Sequence, residues 1–127
     1  ITNAVISTIK SLFEGQSGFE AVEFDGQIRI DWAEGFIMYG MSNTSPKLTF
    51  MAEGTTREIR NEALAFLLAL HNHFKKAYGD NEPMDLNEND FFLKDESYNM
   101  HSPDKIDLND NRVKDFLANL KIEKLKL

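Results

Sequence analysis

The chain has no cysteine. That excludes disulfides, thiolate metal sites and thiol catalysis. Its longest apolar run, ALAFLLAL at 63–70, is far short of the ~20 apolar residues of a membrane-spanning helix. No membrane contact and no signal peptide are read from it, and a cytoplasmic location is expected. Basic residues are the scarcer sign, 14 Lys/Arg against 21 Asp/Glu for a net charge of −7. Direct binding to a nucleic-acid backbone is therefore not expected. The sequence also lacks G-x-S-x-G, a P-loop, G-x-G-x-x-G and H-E-x-x-H, so the common nucleophile, nucleotide and zinc signatures are missing. GQSG at 15–18 reads as a turn.

What is present is an α+β pattern. Ile59, Ala63, Phe66, Leu67, Leu70 and Phe74 recur at helical spacing, with Leu64 and Leu68 as a second apolar flank. The spacing predicts a helix over 56–78, opened by a Thr55/Glu58 capping box and closed by Gly79. A helix apolar almost all round is buried on more than one side. It needs a sheet against one face and another layer against the other. Val5, Ile9, Leu12 and Phe13 mark an N-terminal helix over 3–14, capped by Thr2 or Asn3 and ended at Gly15. Strands are expected at 19–24, 27–33, 36–41 and 47–52, joined by Asp25-Gly26, by Glu34-Gly35 and by a turn around Asn43, Ser45 and Pro46. Val113, Phe116, Leu117 and Leu120 give a C-terminal amphipathic helix over 110–120, and the tail KIEKLKL reads either as its end or as a short edge strand. The expected fold is a single α+β domain over 1–127: N-terminal helix, four-stranded antiparallel meander, long central helix packed on the sheet, short acidic helix or loop segment, and C-terminal helix.

The strands differ in how they alternate. Ile28, Ile30 and Trp32 alternate with Arg29 and Asp31, so the second strand has one core face, and Trp32 reads as core. The third strand, with Phe36, Ile37, Met38, Tyr39 and Met41, is apolar on both sides, where antiparallel strands usually show one apolar face. Either the N- or C-terminal helix covers its second face, or that face is an exposed patch for a partner. Turn length at Gly26 and Gly35 sets the register and decides which side is which.

Charge is concentrated beyond residue 79. Residues 80–110 hold two Lys/Arg and ten Asp/Glu, whereas 111–127 hold five and two. Within the acidic stretch a short helix is expected near 87–96, capped by Asp85 or Asn87. DLNENDFFLKDE at 85–96 resembles an EF-hand calcium loop. Asp85, Asn87 and Asn89 stand at the first, third and fifth places, Phe91 would offer its carbonyl at the seventh, and Glu96 stands at the twelfth. It departs at the sixth place, where Asp90 replaces glycine, and Pro83 and Pro103 interrupt the flanking helices. His71 and His73 are two apart on a helix and read as a surface pair. Tyr39 and Tyr98 are aromatic contact candidates.

Two functions are compatible with this pattern. The first is a non-enzymatic acidic protein-binding module of inhibitor, immunity, chaperone or adaptor type, docking on a basic protein surface, with nucleic-acid mimicry as a special case. Asp85, Glu88, Asp90 and Asp95 would steer it, and Phe91, Phe92 and Tyr98 would anchor it. The second is a Ca²⁺-binding protein or small hydrolase using the carboxylates of the acidic segment. No catalytic residue, metal ligand or cofactor is assigned from sequence.

Overall fold

The computed structural model describes residues 1–41, 48–80, 105–122, 125 and 127. In chain order the elements are α1 (Thr2–Phe13), β1 (Glu20–Phe24), β2 (Gln27–Trp32), β3 (Gly35–Met41), β4 (Leu48–Gly54), α2 (Arg57–Ala77) and α3 (Asn111–Asn119). The four strands form one antiparallel sheet in the order β1-β2-β3-β4. This is the expected α+β architecture. No helix among the described residues is long and apolar enough to cross a membrane.

The β1–β2 hairpin closes through Asp25 and Gly26, both with positive φ (45° and 78°). That is the backbone a two-residue turn needs to match strand twist, and glycine supplies it without strain. Phe24 pairs with Gln27, so the register has no bulge there. The next turn is at Ala33 and Glu34, because Trp32 pairs with Gly35. Gly35 is thus not a turn residue, as its sequence setting suggests, but the first residue of β3. A Cβ there would run into the backbone carbonyl of Glu53 on β4, so its role is close strand approach.

α2 lies on β3 and β4, α1 lies across β1 to β3, and α3 packs on α2. Residues Ala63 through Leu70 are all buried, as expected of a helix held between a sheet and a second layer of helix. Phe66 is the hinge of that packing, edge-on to Phe13 of α1 (centroids 6.4 Å apart) and 5.0 Å from Phe116 of α3. Trp32 closes the same cluster against Phe19 and Phe116. Ile122 and Leu125 pack against the core, and neither belongs to a strand.

The helix ends correct two expected caps. The α2 N-cap is Thr56, whose Oγ1 accepts the Ile59 N–H at 3.2 Å. Thr55 instead spends its N–H on the Glu34 carbonyl, which places it outside the helix. α1 starts from Ile1 with no side-chain cap, so neither Thr2 nor Asn3 caps it. α2 ends as expected at Gly79, with Asp80 N–H to Lys75 C=O and Gly79 N–H to Lys76 C=O, the paired bonds of a Schellman end. α3 opens on Asp110, whose Oδ1 accepts the Arg112 N–H, and the Arg112 guanidinium beside it holds that carboxyl below its usual range.

Candidate functional site

Strand alternation and the register divide the sheet into two faces. Ile28, Ile30, Ile37 and Tyr39 point into the helices and are fully buried. The other face is organised in three rows of directly paired residues. Val22, Arg29, Met38 and Met51 form the central row, one residue from each strand. Toward the 33–34 turn lies Glu20, Asp31, Phe36 and Glu53, and toward the 25–26 turn lies Phe24, Gln27, Gly40 and Thr49.

No described element covers this outer face. α1 and α2 sit on the inner side, and α3 packs on α2 with its Phe116 reaching Trp32 on that same side, so neither terminal helix accounts for the double-sided apolar pattern of β3. Val22 is 42% exposed, Phe24 37% and Met51 44%, with Phe36 and Met38 half-buried between them. Such values would mean little for scattered residues, but these side chains are neighbours on one surface.

Arg29 organises the middle of the face. Its Nε and Nη2 donate to Asp31 at 2.8 and 2.9 Å, and its guanidinium carbon lies 4.0 Å over the Phe36 ring. The Asp31 hydrogen bond, aided by Glu53, stabilises its charged form further. Arg29 therefore leans toward the acidic row and leaves Val22, Met38 and Met51 as the apolar part of the central row. Glu20 stands directly opposite Asp31, a like-charge pairing that costs stability in a sheet. Glu20 has no ion-pair partner among the described residues. At this corner a shallow hollow of about 390 Å³ is lined by Gly18, Phe19, Glu20, Asp31 and Trp32.

A second polar feature lies inside the core. Tyr39 Oη and His71 Nδ1 are 2.9 Å apart, with Phe50 packed edge-on against the imidazole. Thr2 also hydrogen-bonds Tyr39. Burial, with Lys75 adding to it, lowers the His71 pKa to about 4, and burial pushes the Tyr39 hydroxyl above its ordinary range. His71 is thus a neutral core side chain rather than half of a surface pair, and Tyr39 is core rather than a contact residue. His73 separates from it and packs edge-on to Phe74. With Tyr39 fully buried and His71 nearly so, this pair serves structure.

The residues singled out in the acidic stretch, Asp85, Glu88, Asp90, Phe91, Phe92, Asp95 and Tyr98, lie outside the described residues, as does the whole EF-hand-like stretch at 85–96. Among the described residues no group of three or more His, Asp or Glu side chains could hold a metal ion. Sequence reasoning named Arg29 and Met38 of the central row and offered one face of β3 as a partner patch, but it named neither Val22 nor Met51 and assigned none of the four as a site residue. The signal for the row was the unbroken apolar character of β3, and the missing step was the register, which the Asp25-Gly26 turn fixes. No family model matches the chain, and no curated protein or solved structure is similar to it.

Proposed function

We propose that this chain is a non-enzymatic protein-binding module that docks a basic partner surface on the outer face of its sheet, as small inhibitors, immunity proteins, chaperones and adaptors do. The observation that carries this reading is the uncovered central row, Val22, Met38 and Met51, with Phe24 and Phe36 beside it. Two physical contributions support it. Apolar side chains gathered on one face supply affinity by leaving water together. The acidic row and the net charge of −7 raise the association rate with a cationic surface and disfavour anionic competitors. The stretch 80–110 holds most of that charge in the sequence, so it adds to steering. Nucleic-acid mimicry is the case in which the partner surface is a groove built for DNA or RNA.

The test is capture from the source cell at low and high salt with three baits: the unaltered chain, Met51→Glu and Val22→Glu. The expected result is one stoichiometric basic protein, lost as salt rises and lost with either substitution even at low salt. Screening weakens exposed charge contacts beyond a Debye length of ~8 Å at physiological salt, whereas an anion placed in the apolar row acts at any salt. Capture that ignores both substitutions would sink the assignment of this face.

A further inference from the structure

We infer that the occupant of the outer face is an amphipathic helix of the partner protein, lying with its apolar stripe on Val22, Met38 and Met51 and placing a lysine or arginine in the hollow between Glu20 and Asp31. This rests on the docking reading above and goes further, by giving the partner's secondary structure, its chemistry and its orientation.

Three observations lead there. The first is the layer arrangement. Among the described residues helices cover one side of the sheet only, and an antiparallel sheet with an apolar second face is completed by a further layer, most simply another helix. Four strands at the usual spacing are ~14 Å across, a width that one helix with side chains, ~10–12 Å in diameter, nearly fills. The second is the apolar surface at the 25–26 end. The Gln27 side chain lies over Gly40, where a Cβ would have no room, and is itself buried, so the exposed side chain that extends the apolar row there is Phe24.

The third is charge, and it sets both partner and direction. The acidic residues are not spread round a rim. Glu20, Asp31 and Glu53 share one row at the 33–34 end, and the opposite row, Phe24, Gln27, Gly40 and Thr49, is uncharged. Asp31 is already engaged by Arg29, which leaves Glu20 facing it without a counter-ion. The hollow at that corner is lined by both carboxylate residues, with Gly18, Phe19 and Trp32 completing it. Two facing carboxylates suit a cationic side chain by charge. A second copy of this chain fits poorly, because it would bring a second net charge of −7 and another set of these carboxylates against the first.

The probe is a synthetic amphipathic helical peptide with leucine along one stripe and lysine in one terminal turn. Two controls accompany it: the same peptide with glutamate for lysine, and one of identical composition with the stripe scrambled. Amide chemical shifts of the full chain report where each binds. We expect saturable shifts at Val22, Arg29, Met38 and Met51 with the lysine peptide, and binding weaker by a factor of roughly ten or more for either control. Met51→Glu, Val22→Glu and Glu20→Gln each alter an exposed side chain, so folding should survive. Each is expected to weaken the lysine peptide, and Lys76→Glu at the far end of α2 is expected not to.

Several results would overturn the inference: no saturable shift on the three rows, equal binding of the glutamate or scrambled peptide, or indifference to Glu20→Gln. Two others would name a different occupant. A concentration-dependent dimer broken by Met51→Glu would place a second copy on the face. Cross-links from residue 38 to residues 81–104 in the free protein would place the chain's own segment there. The two readings fail separately. If the face substitutions abolish capture from the cell but the helical peptide does not bind, docking stands and the helix falls. If the substitutions leave capture intact, the face itself is wrong.

Discussion

The Tyr39–His71 bond makes folding stability depend on pH through a single side chain. The His71 pKa is lowered from its ordinary 6.5 to about 4, so the unfolded chain takes up this proton first as pH falls. Stability is therefore full above pH ~6.5, declines as pH drops through the window to ~4, and below that has lost on the order of 3 kcal/mol. His71→Gln keeps an acceptor for the Tyr39 hydroxyl but cannot titrate. The difference in urea midpoint between unaltered chain and variant should therefore change across that window and level off above it. Parallel pH profiles would mean that His71 is not held neutral in the core. The carboxylates common to both chains largely cancel in this difference. The burial of His71 was partly legible in the sequence, since it stands four after Leu67 and three before Phe74, on the apolar stripe. Its partner was not, because Tyr39 belongs to a strand distant in sequence and only the fold brings the two together.

At the scale of elements, the caps give the sharpest expectations. Thr56→Ala removes the acceptor of the Ile59 N–H and should cost about 1 kcal/mol. Thr55→Ala should be close to neutral, because Thr55 bonds through its backbone. Equal losses in chemical denaturation would return the cap to Thr55. α3 ends in the same pair of bonds as α2, from Lys121 to Ala118 and from Ile122 to Leu117, but with lysine rather than glycine at φ 60°. A left-handed lysine is strained, so Lys121→Gly should raise stability by about 0.5–1 kcal/mol after its larger unfolded-state entropy is counted. A drop in melting temperature would show that the lysine side chain does more than sit in solvent. Element identity and order were readable because periodicity and turn chemistry agree locally, as at Asp25-Gly26 and along 63–70. Cap identity was not, because adjacent threonines offer the same chemistry and a backbone bond from a distant turn chooses between them. The covered side of β3 was hidden for a similar reason. Both β3 faces are apolar, and which one the helices take depends on chain crossings that no local pattern records.

For the molecule as a whole, net charge opposes association through the apolar face that no described element covers. The net −7 at pH 7 vanishes near the isoelectric point, about 4.9, and neutral proteins associate more readily. Light scattering should therefore rise as pH approaches that value, and less so for Met51→Glu, which puts a charge into the central row. Scattering that rose equally in both would point to another surface. The meander has one more consequence, in time rather than in space. Every strand pairs with its neighbour in the chain, so the sheet involves short loop closures of the kind that form early. α2 follows β4, and α1, although made first, has no Phe66 to pack against until α2 exists. During synthesis there is thus an interval in which the inner side chains that α2 covers, Tyr39 and Phe50 among them, are as bare as Met38 and Met51. A ribosome paused before Thr56 would display a sheet that is sticky on both sides, and the speed of translation through 56–77 governs how long that hazard lasts.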